Sequence, residues 1–198
     1  MDDNMPVTHD PILKKIMDTI PAPRTESTGD VFFDLMSCII EQQIHYRSTK
    51  RIFAKGLERA GLVTLTLDNF PVFEEKALSA IKLSDSKYTT LAEAIHFFST
   101  QKVDWQSLDD MAVREILSGI KGIGPWTIDM ILLYTLERPD IFPADDFHLK
   151  EIMVRLYGLN PASRLKAQML EVAAAWGANR SMAVRYLLAY KSQGTIQR

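Results

Sequence analysis

Apolar residues recur every three or four positions along most of the chain, which is the spacing of amphipathic helices. This spacing predicts a first helix from Asp10 towards Ile20, and two helices between Val31 and Ala60 with a break near His45 to Arg47. It continues through segments at about 73–81, 86–99, 109–118, 125–136, 147–157, 162–176 and 180–191. The alternating segment at 62–67 is interpreted as a connection instead of a strand. The pattern therefore predicts an all-α protein of roughly ten helices.

Three glycines interrupt the helical pattern between residues 118 and 125. Gly119, Gly122 and Gly124 remove the side chains that would obstruct a tight reversal, and Pro125 suits the first position of a second helix. The chain is therefore expected to form a helical hairpin at this point. The apolar face of the first hairpin helix is assigned to Met111, Ile116 and Leu117.

The start of the second hairpin helix offers unpaired N–H groups, which form a site for an anion such as a phosphate. We place such an anion on the N–H groups of Gly122, Gly124 and Trp126. The alternative is a turn that only joins two packed helices, and the glycine spacing does not decide between the two. A dinucleotide-binding loop is disfavoured, because a helix rather than a strand precedes the turn and the third glycine is missing.

Cysteine content and hydropathy exclude several classes of protein. The 198 residues contain one cysteine, Cys38, whose apolar neighbours indicate a small core residue. Thiolates within the chain therefore cannot build an iron–sulfur cluster, a zinc cluster or a disulfide framework. No segment approaches the roughly 20 apolar residues of a membrane span, and residues 1–4 do not begin a secretory signal. An intracellular protein without a membrane partner is expected.

The net charge of -2 conceals an uneven distribution of charge along the chain. Residues 1–146 contain 15 Lys and Arg against 23 Asp and Glu, whereas residues 147–198 contain 8 against 2. This division suggests that one face meets an anion, although a solvated helix surface also explains such a run. The overall charge argues against a histone-like, nonspecific binder of nucleic acid.

Two carboxylates, Asp145 and Asp146, immediately precede the predicted helix at 147–157. An aspartate in this place caps a helix by accepting hydrogen bonds from its first N–H groups. The same donors and the helix dipole hold a carboxylate in its ionised form. Capping and a catalytic role are therefore compatible for either aspartate.

The hairpin with Gly122-Ile123-Gly124, followed by Asp146, resembles the helix-hairpin-helix DNA glycosylase superfamily. The likeness covers about residues 10–190 and is closest to the 3-methyladenine DNA glycosylase II branch, in its short form without an extra N-terminal β-rich domain. Further matching segments are Asp10-Pro11-Ile12-Leu13, Ile39-Ile40-Glu41-Gln42-Gln43-Ile44, Ser84-Asp85-Ser86-Lys87-Tyr88, and Trp176 with Arg180-Ser181. The resemblance implies one domain over residues 1–198 with two helical lobes, about 36–140 and about 1–35 with 141–198, and an active-site cleft between them.

The resemblance also implies a monofunctional enzyme. Relatives that cleave the strand carry a lysine in the second helix of the motif, which forms a Schiff base with the sugar, and the corresponding residue here is Trp126. An indole cannot act as that nucleophile. The implied reaction is hydrolysis of the N-glycosidic bond of alkylated bases, 3-methyladenine-type purines, in duplex DNA during base excision repair. Asp146 is the implied catalytic residue. As an ionised carboxylate it would stabilise the positive charge that builds on the deoxyribose as the bond breaks, and it would position or deprotonate water.

Substrate contacts are implied for Trp126, Asp145 and Met130. The indole of Trp126 would line the base pocket and favour a cationic alkylated purine, with core packing as the alternative. Met130 stands where some relatives have a second aromatic, so a less aromatic pocket is expected. The implied DNA contacts lie in the hairpin and in a wedge loop that fills the gap left by an extruded nucleotide: Lys121, Gly122, Gly124, Thr127, Gln43, Ile44 and His45. Core packing for Ile44 and a solvated loop position for His45 remain the alternatives.

The resemblance implies no required cofactor and no protein-held metal, apart from a monovalent cation that the hairpin carbonyls could bind. The implied partner is double-stranded DNA that contains damaged bases, and the chain is expected to act as a monomer. Two other functions remain open. A catalytically silent helix-hairpin-helix DNA-binding module would not need the carboxylate of Asp146, and an oxidised-purine glycosylase would usually keep the lysine that Trp126 replaces.

Overall fold

The computed structural model describes residues 10–24, 27–41 and 50–194, and the regular structure of these residues is entirely helical. This confirms the all-α prediction and the interpretation of residues 62–67 as a connection. None of the helices in the described ranges is long and apolar enough to cross a membrane. The described residues form the α-helices α1 (Pro11–Thr19), α2 (Val31–Glu41), α3 (Lys50–Ala60), α4 (Phe70–Lys76), α5 (Asp85–Thr100), α6 (Asp110–Ser118), α7 (Pro125–Met130), α8 (Phe147–Tyr157), α9 (Leu165–Ala174) and α10 (Arg180–Gly194), with 3₁₀ turns at Leu78–Ala80 and Gly177–Asn179 and a π-helical turn at Ile131–Thr135.

The chain divides into two compact units. The hairpin unit is Ser27–Leu136, and the terminal unit consists of the described residues of Met1–Glu26 and Glu137–Arg198. The sequence predicts lobe boundaries near residues 36 and 140, whereas the units divide before Ser27 and after Leu136. The difference arises because α2 packs along its length against α3 and α5, so the whole helix belongs to the hairpin unit.

The core of the hairpin unit is organised around α2. Its side chains Leu35, Met36, Ile39 and Ile40 are fully buried, and burial of each stabilises the unit by about 1.5–3 kcal/mol. Cys38 is half-buried on the same helix. Desolvation, assisted by the nearby carboxylates of α2, raises the pKa of the Cys38 thiol to about 12. This thiol therefore stays protonated near neutral pH and is a poor nucleophile.

A π-helical turn continues α7, where the sequence predicts an uninterrupted helix to residue 136. The Leu136 N–H donates to the Ile131 carbonyl five residues earlier, at 2.9 Å. The Thr135 hydroxyl donates to Asp34 Oδ2 at 2.8 Å, and the Ser27 hydroxyl donates to the Thr135 carbonyl at 3.2 Å. These two bonds fix the end of the turn within the hairpin unit, and π-helical turns of this kind are frequent at functional sites.

Helix α6 confirms a hairpin helix at this position but corrects one residue of its predicted apolar face. Val113 and Leu117 are buried, whereas Met111 is 80% exposed. Residues four apart lie on the same face of a helix, and Met111 precedes Leu117 by six positions, so the two point in different directions. The assignment of Met111 to the buried face is therefore wrong.

The terminal unit is joined by a buried carboxylate, Asp10. Its Oδ1 caps α1 by accepting hydrogen bonds from the Ile12 and Leu13 N–H groups at 2.9 and 3.0 Å. Its Oδ2 accepts from the Tyr157 hydroxyl at 2.7 Å and from Trp176 Nε1 at 2.8 Å. One side chain therefore connects the start of α1, the end of α8 and the indole that follows α9. Burial and the bond to Asp10 raise the pKa of Tyr157.

Substituting Asp10 with alanine is expected to lower the free energy of unfolding by about 3 kcal/mol or more. Hydrogen bonds to a charged group contribute roughly 1.5–3 kcal/mol each, and the substitution leaves the buried indole N–H of Trp176 and the part-buried hydroxyl of Tyr157 without this acceptor. Urea denaturation followed by circular dichroism measures the change. Asp18→Ala, on the exposed face of α1, is the control and should shift the midpoint little. Equal midpoints for the two variants would show that the Asp10 bonds do not hold this unit.

Candidate functional site

The predicted helical hairpin is formed by α6, the turn at residues 119–124, and α7. Asp109 caps α6 by accepting from the Ala112 N–H at 2.8 Å. The Gly119 N–H closes the helix on the carbonyls of Glu115 and Ile116 at 3.3 and 3.2 Å. The turn then buries two apolar side chains, Ile120 and Ile123, and the Ile123 N–H donates to the Ile120 carbonyl at 3.1 Å. These contacts hold the glycines between them in one conformation.

Gly122 is required by both backbone conformation and space. Its φ of +92° lies in a region that residues with a side chain rarely adopt. A Cβ built on Gly122 would also lie 2.0 Å from Thr90 Oγ1 and 3.0 Å from Thr90 Cβ, on helix α5. Thr90 is itself held, because its hydroxyl donates to the Ser86 carbonyl at 3.0 Å. The hairpin backbone therefore rests directly on α5.

Gly124, at the start of α7, is required neither by space nor by backbone conformation. A Cβ built there would have no atom within 4 Å, and its φ of -94° is accessible to any residue. Gly124 nonetheless precedes Pro125 at the N-cap, where an absent side chain leaves the first N–H groups of the helix open to a ligand. Within the described ranges, the N–H groups of Gly122 and Gly124 have no acceptor. Lys121 and Gly122 are exposed beside them.

The first turns of α7 separate the predicted contact residues into two groups. Trp126 is half-buried. Thr127 is only 1% exposed and Met130 is buried. Thr127 packs inside the hairpin unit, and its contact with DNA stays a prediction. Asp129, one turn after Trp126, forms an ion pair with Arg114 of α6 at 2.7 Å, which connects the two hairpin helices.

Asp146 is the N-cap of α8 in the terminal unit. Its Oδ1 accepts a hydrogen bond from the Leu149 N–H at 2.7 Å, and its own N–H donates to the Pro143 carbonyl at 2.9 Å. The residue is only 6% exposed. The N–H donor and the positive end of the helix dipole stabilise negative charge at this position. Of the two predicted cap residues, Asp146 therefore takes this role.

Asp145 points to a different set of partners. Its carboxylate lies 3.1 Å from the ammonium of Lys166 and 3.6 Å from that of Lys150. The hydrogen bond from Lys166, reinforced by the charge of Lys150, holds the pKa of Asp145 below its ordinary value. Since half of the Asp145 side chain is exposed, these ion pairs contribute little to stability. They link the start of α8 to α9 at the surface of the terminal unit.

Phe147 is the residue beside Asp146 that sequence reasoning missed. Its side chain is 69% exposed, although it is the first residue of α8. Its ring packs edge-to-face on His148, and Lys191 Nζ lies 5.5 Å from its centroid. The available sequence signal was an aromatic residue directly after the two aspartates. Periodicity alone did not distinguish this exposed position from a buried one.

The predicted site residues are distributed over both units. Asp145 and Asp146 belong to the terminal unit, whereas Lys121, Gly122, Gly124, Trp126 and Met130 belong to the hairpin unit. The predicted wedge residues Gln43, Ile44 and His45 lie outside the described residues. Among the residues that are described, no three His, Cys, Asp or Glu side chains form a group that could hold a metal ion.

Comparison with known proteins assigns the chain to a family. The pattern of the family described as "HhH-GPD superfamily base excision DNA repair protein" matches residues 36–176. This match covers more than half of the chain and includes the hairpin and both aspartates. The protein therefore belongs to the HhH-GPD superfamily of base excision DNA repair proteins.

Individual relatives agree with this assignment. DNA-3-methyladenine glycosylase 1 of Schizosaccharomyces pombe is 28% identical over 145 residues, which are 70% of this chain and 63% of that protein. The chain thus spans less than two thirds of the length of this relative. The S. pombe 3-methyladenine DNA glycosylase Mag1, solved in complex with abasic DNA, superposes with a TM-score of 0.76 at 22% identity, over 91% of each chain.

The fold is shared by a second kind of enzyme. A Clostridium acetobutylicum 8-oxoguanine glycosylase/lyase, solved with double-stranded DNA, superposes with a TM-score of 0.74 at 24% identity, over 94% of this chain and 67% of that one. At such identities the likeness is one of fold. The distinction between a hydrolase and a lyase must therefore come from individual residues.

Substituting Gly122 with alanine is expected to lower the thermal unfolding midpoint by several degrees, because the positive φ and the contact with Thr90 both oppose a side chain. Thr90→Ala removes the nearest atom, so the double variant should recover part of this loss. Gly124→Ala is the matched control and should change the midpoint little, since its Cβ meets no atom. Differential scanning calorimetry measures the midpoints of the wild type, the three single variants and the double variant. A Gly122→Ala midpoint equal to that of Gly124→Ala would contradict the inferred contact.

Proposed function

We propose that this protein is a monofunctional DNA glycosylase that hydrolyses the N-glycosidic bond of alkylated, 3-methyladenine-type purines in duplex DNA. The observation that carries the proposal is Asp146, a buried carboxylate held at a helix N-terminus within a family of base excision repair proteins. The S. pombe relative that matches most of this chain bears the name of that activity. Two further residues, Trp126 and Gly122, support the choice of reaction and partner.

In the proposed reaction the bond between C1′ of the deoxyribose and the base nitrogen breaks, and the base leaves with the electron pair. The positive charge that develops on the sugar is stabilised by the negative carboxylate of Asp146, which acts more strongly where water is largely excluded. Water then adds to C1′ and gives up a proton, for which Asp146 is the acceptor. The products are a free base and an intact strand with an abasic site.

Trp126 supports the monofunctional form of the reaction. It occupies the position at which strand-cleaving members of the family carry their nucleophilic lysine, and an indole cannot form a Schiff base. Trp126 is half-buried at the start of α7, and we propose that its indole meets the base. Because N-alkylated purines are cationic, an indole face favours them by roughly 0.5–2 kcal/mol. The proposed substrates are therefore bases that already leave easily and that stack well on an electron-rich ring.

The hairpin supports duplex DNA as the partner. The exposed turn offers N–H groups at Gly122 and Gly124, and a phosphate is the anion that such a turn accommodates. Lys121, which is exposed beside them, adds a positive charge. We extend the proposal to a monovalent cation bound by the hairpin carbonyls and to a reaction that needs no dissociable cofactor. Excision in EDTA at the same rate as in its absence is the corresponding expectation.

Asp146→Asn is expected to lower base release by about 100-fold or more, the scale on which a single electrostatic contact stabilises a transition state. Asparagine also caps helices, so the fold and the affinity for a lesion duplex should persist. Release is measured under single turnover on duplexes that each carry one lesion, such as 3-methyladenine, 7-methylguanine or 1,N6-ethenoadenine. Asp18→Asn, an exposed carboxylate of the same unit, is the control.

The same assay separates the proposed enzyme from its alternatives. A wild-type protein that binds the duplexes but releases no base would behave as a silent helix-hairpin-helix module. An Asp146→Asn variant that releases base at the wild-type rate would remove Asp146 from the reaction. Preferential release of 8-oxoguanine would favour an oxidised-purine glycosylase.

Treatment of the reaction with sodium borohydride is expected to trap no covalent complex between the protein and DNA. A lyase forms a Schiff base through a lysine, which the reagent reduces, whereas Trp126 offers no amine. The strand should remain intact until alkali or heat is applied. A known helix-hairpin-helix glycosylase/lyase on its own lesion duplex is the positive control. Formation of a trapped covalent complex between the wild-type protein and DNA would contradict the monofunctional assignment.

A further inference from the structure

An exposed aromatic side chain adjoins the proposed catalytic carboxylate. Phe147 directly follows Asp146 and starts α8, so its Cα lies about 3.8 Å from that of Asp146. Most of its ring faces solvent, as its 69% exposure shows. Isolated exposed apolar residues are common, so exposure by itself assigns no role. A role is inferred from the contacts that hold this ring and from the charge of the segment around it.

The ring of Phe147 is held in place by polar groups of two helices. His148 packs against it at 5.4 Å between ring centroids, with an interplanar angle of 79°. Lys191 of α10 places its ammonium 5.5 Å from the centroid. The same ammonium lies 2.7 Å from His148 Nδ1 and donates to Glu151 Oε2, and the Lys191 side chain is largely buried. The ring is thus exposed but restrained, which lowers the entropy that a contact would cost.

The net charge of the segment that contains Phe147 favours a polyanion as the occupant. Residues 147–198 contain 8 Lys and Arg against 2 Asp and Glu. At the start of α8, Lys150 and Lys166 pair with Asp145 and Lys191 pairs with Glu151, so the positive surplus belongs to the segment as a whole. A positively charged surface attracts the phosphates of DNA, whereas an apolar ring contacts the faces of a sugar or a base. Nucleic acid offers both chemistries within a single nucleotide.

We propose that Phe147 contacts the nucleotide on which Asp146 acts, packing its ring against the deoxyribose and the base, and that this contact helps to distinguish a damaged nucleotide from a normal one. Lys191 is a positioning residue, because its ammonium holds the ring of Phe147 in place. The ammonium occupies one face of the ring, and the proposed contact uses the remaining apolar surface of the ring. This inference rests on the proposed function.

Single-turnover excision by variants of Phe147 tests the contact. Phe147→Ala should slow excision at saturating enzyme by at least about fivefold, the lower end of what one aromatic stacking contact contributes. Phe147→Tyr keeps the ring and should stay close to the wild-type rate, whereas Phe147→Leu keeps only apolar bulk and should fall between the two. Leu170→Ala is the matched control, because Leu170 is an exposed apolar residue of the same unit, at 42% exposure.

A binding measurement separates recognition from stability. In the Asp146→Asn background, Phe147→Ala should reduce the affinity for a lesion duplex while leaving the affinity for the undamaged duplex unchanged. A purely structural role would lower both affinities together. Lys191→Met should reduce the preference for the lesion duplex in the same direction, and Lys191→Arg should restore it. Thermal unfolding midpoints, measured in parallel, identify any variant that fails to fold.

The outcomes distinguish this inference from the function on which it rests. An active wild type with an equally active Phe147→Ala would overturn the contact and leave the glycosylase assignment intact. Loss of activity in Phe147→Tyr equal to that in Phe147→Ala, or an equal loss in Leu170→Ala, would also overturn it. A wild type without base release on any lesion would overturn both proposals.

Discussion

The buried carboxylate of Asp10 is the interaction on which the geometry of the terminal unit depends. It accepts hydrogen bonds from α1, from the last residue of α8 and from the indole after α9. Helix α8 consequently has an aspartate at each end, because Asp146 caps its start and Asp10 holds Tyr157 at its finish. A rigid helix transmits position along its axis, so the bonds at one end set where the other end presents its carboxylate.

The backbone of the hairpin unit is fixed by close packing and by an ion pair. A backbone that presents N–H groups to a ligand has to be fixed without using those groups internally. Here Thr90 beneath Gly122 and the ion pair between Arg114 and Asp129 supply this support from outside the turn. The turn therefore combines exposed donors with a fixed conformation, which is what binding of a phosphate backbone in one register requires.

Local patterns predicted the helices, the hairpin and a capping aspartate at residue 145 or 146, because each depends on residues a few positions apart. The support from Thr90 and the bonds of Asp10 escaped prediction, since they join residues far apart in sequence; Trp176 lies 166 residues from Asp10. The π-helical turn escaped prediction because its end is fixed by a hydrogen bond between Thr135 and Asp34, which are 101 residues apart. Burial of Thr127 and exposure of Met111 follow from packing, which periodicity predicts only on average. The likeness to a family, in contrast, named Asp146 and Trp126 individually.

The cap at Asp146 has an evolutionary consequence. The helix requires a side chain whose oxygen reaches the N–H three residues ahead, and the proposed reaction requires a negative charge at the same place. Asparagine meets the first requirement alone, and glutamate, longer by one methylene, keeps the charge but is a poorer cap. Under the proposed reaction only aspartate meets both requirements, so selection would act on side-chain length and on charge together and would oppose an exchange of aspartate for glutamate at this position.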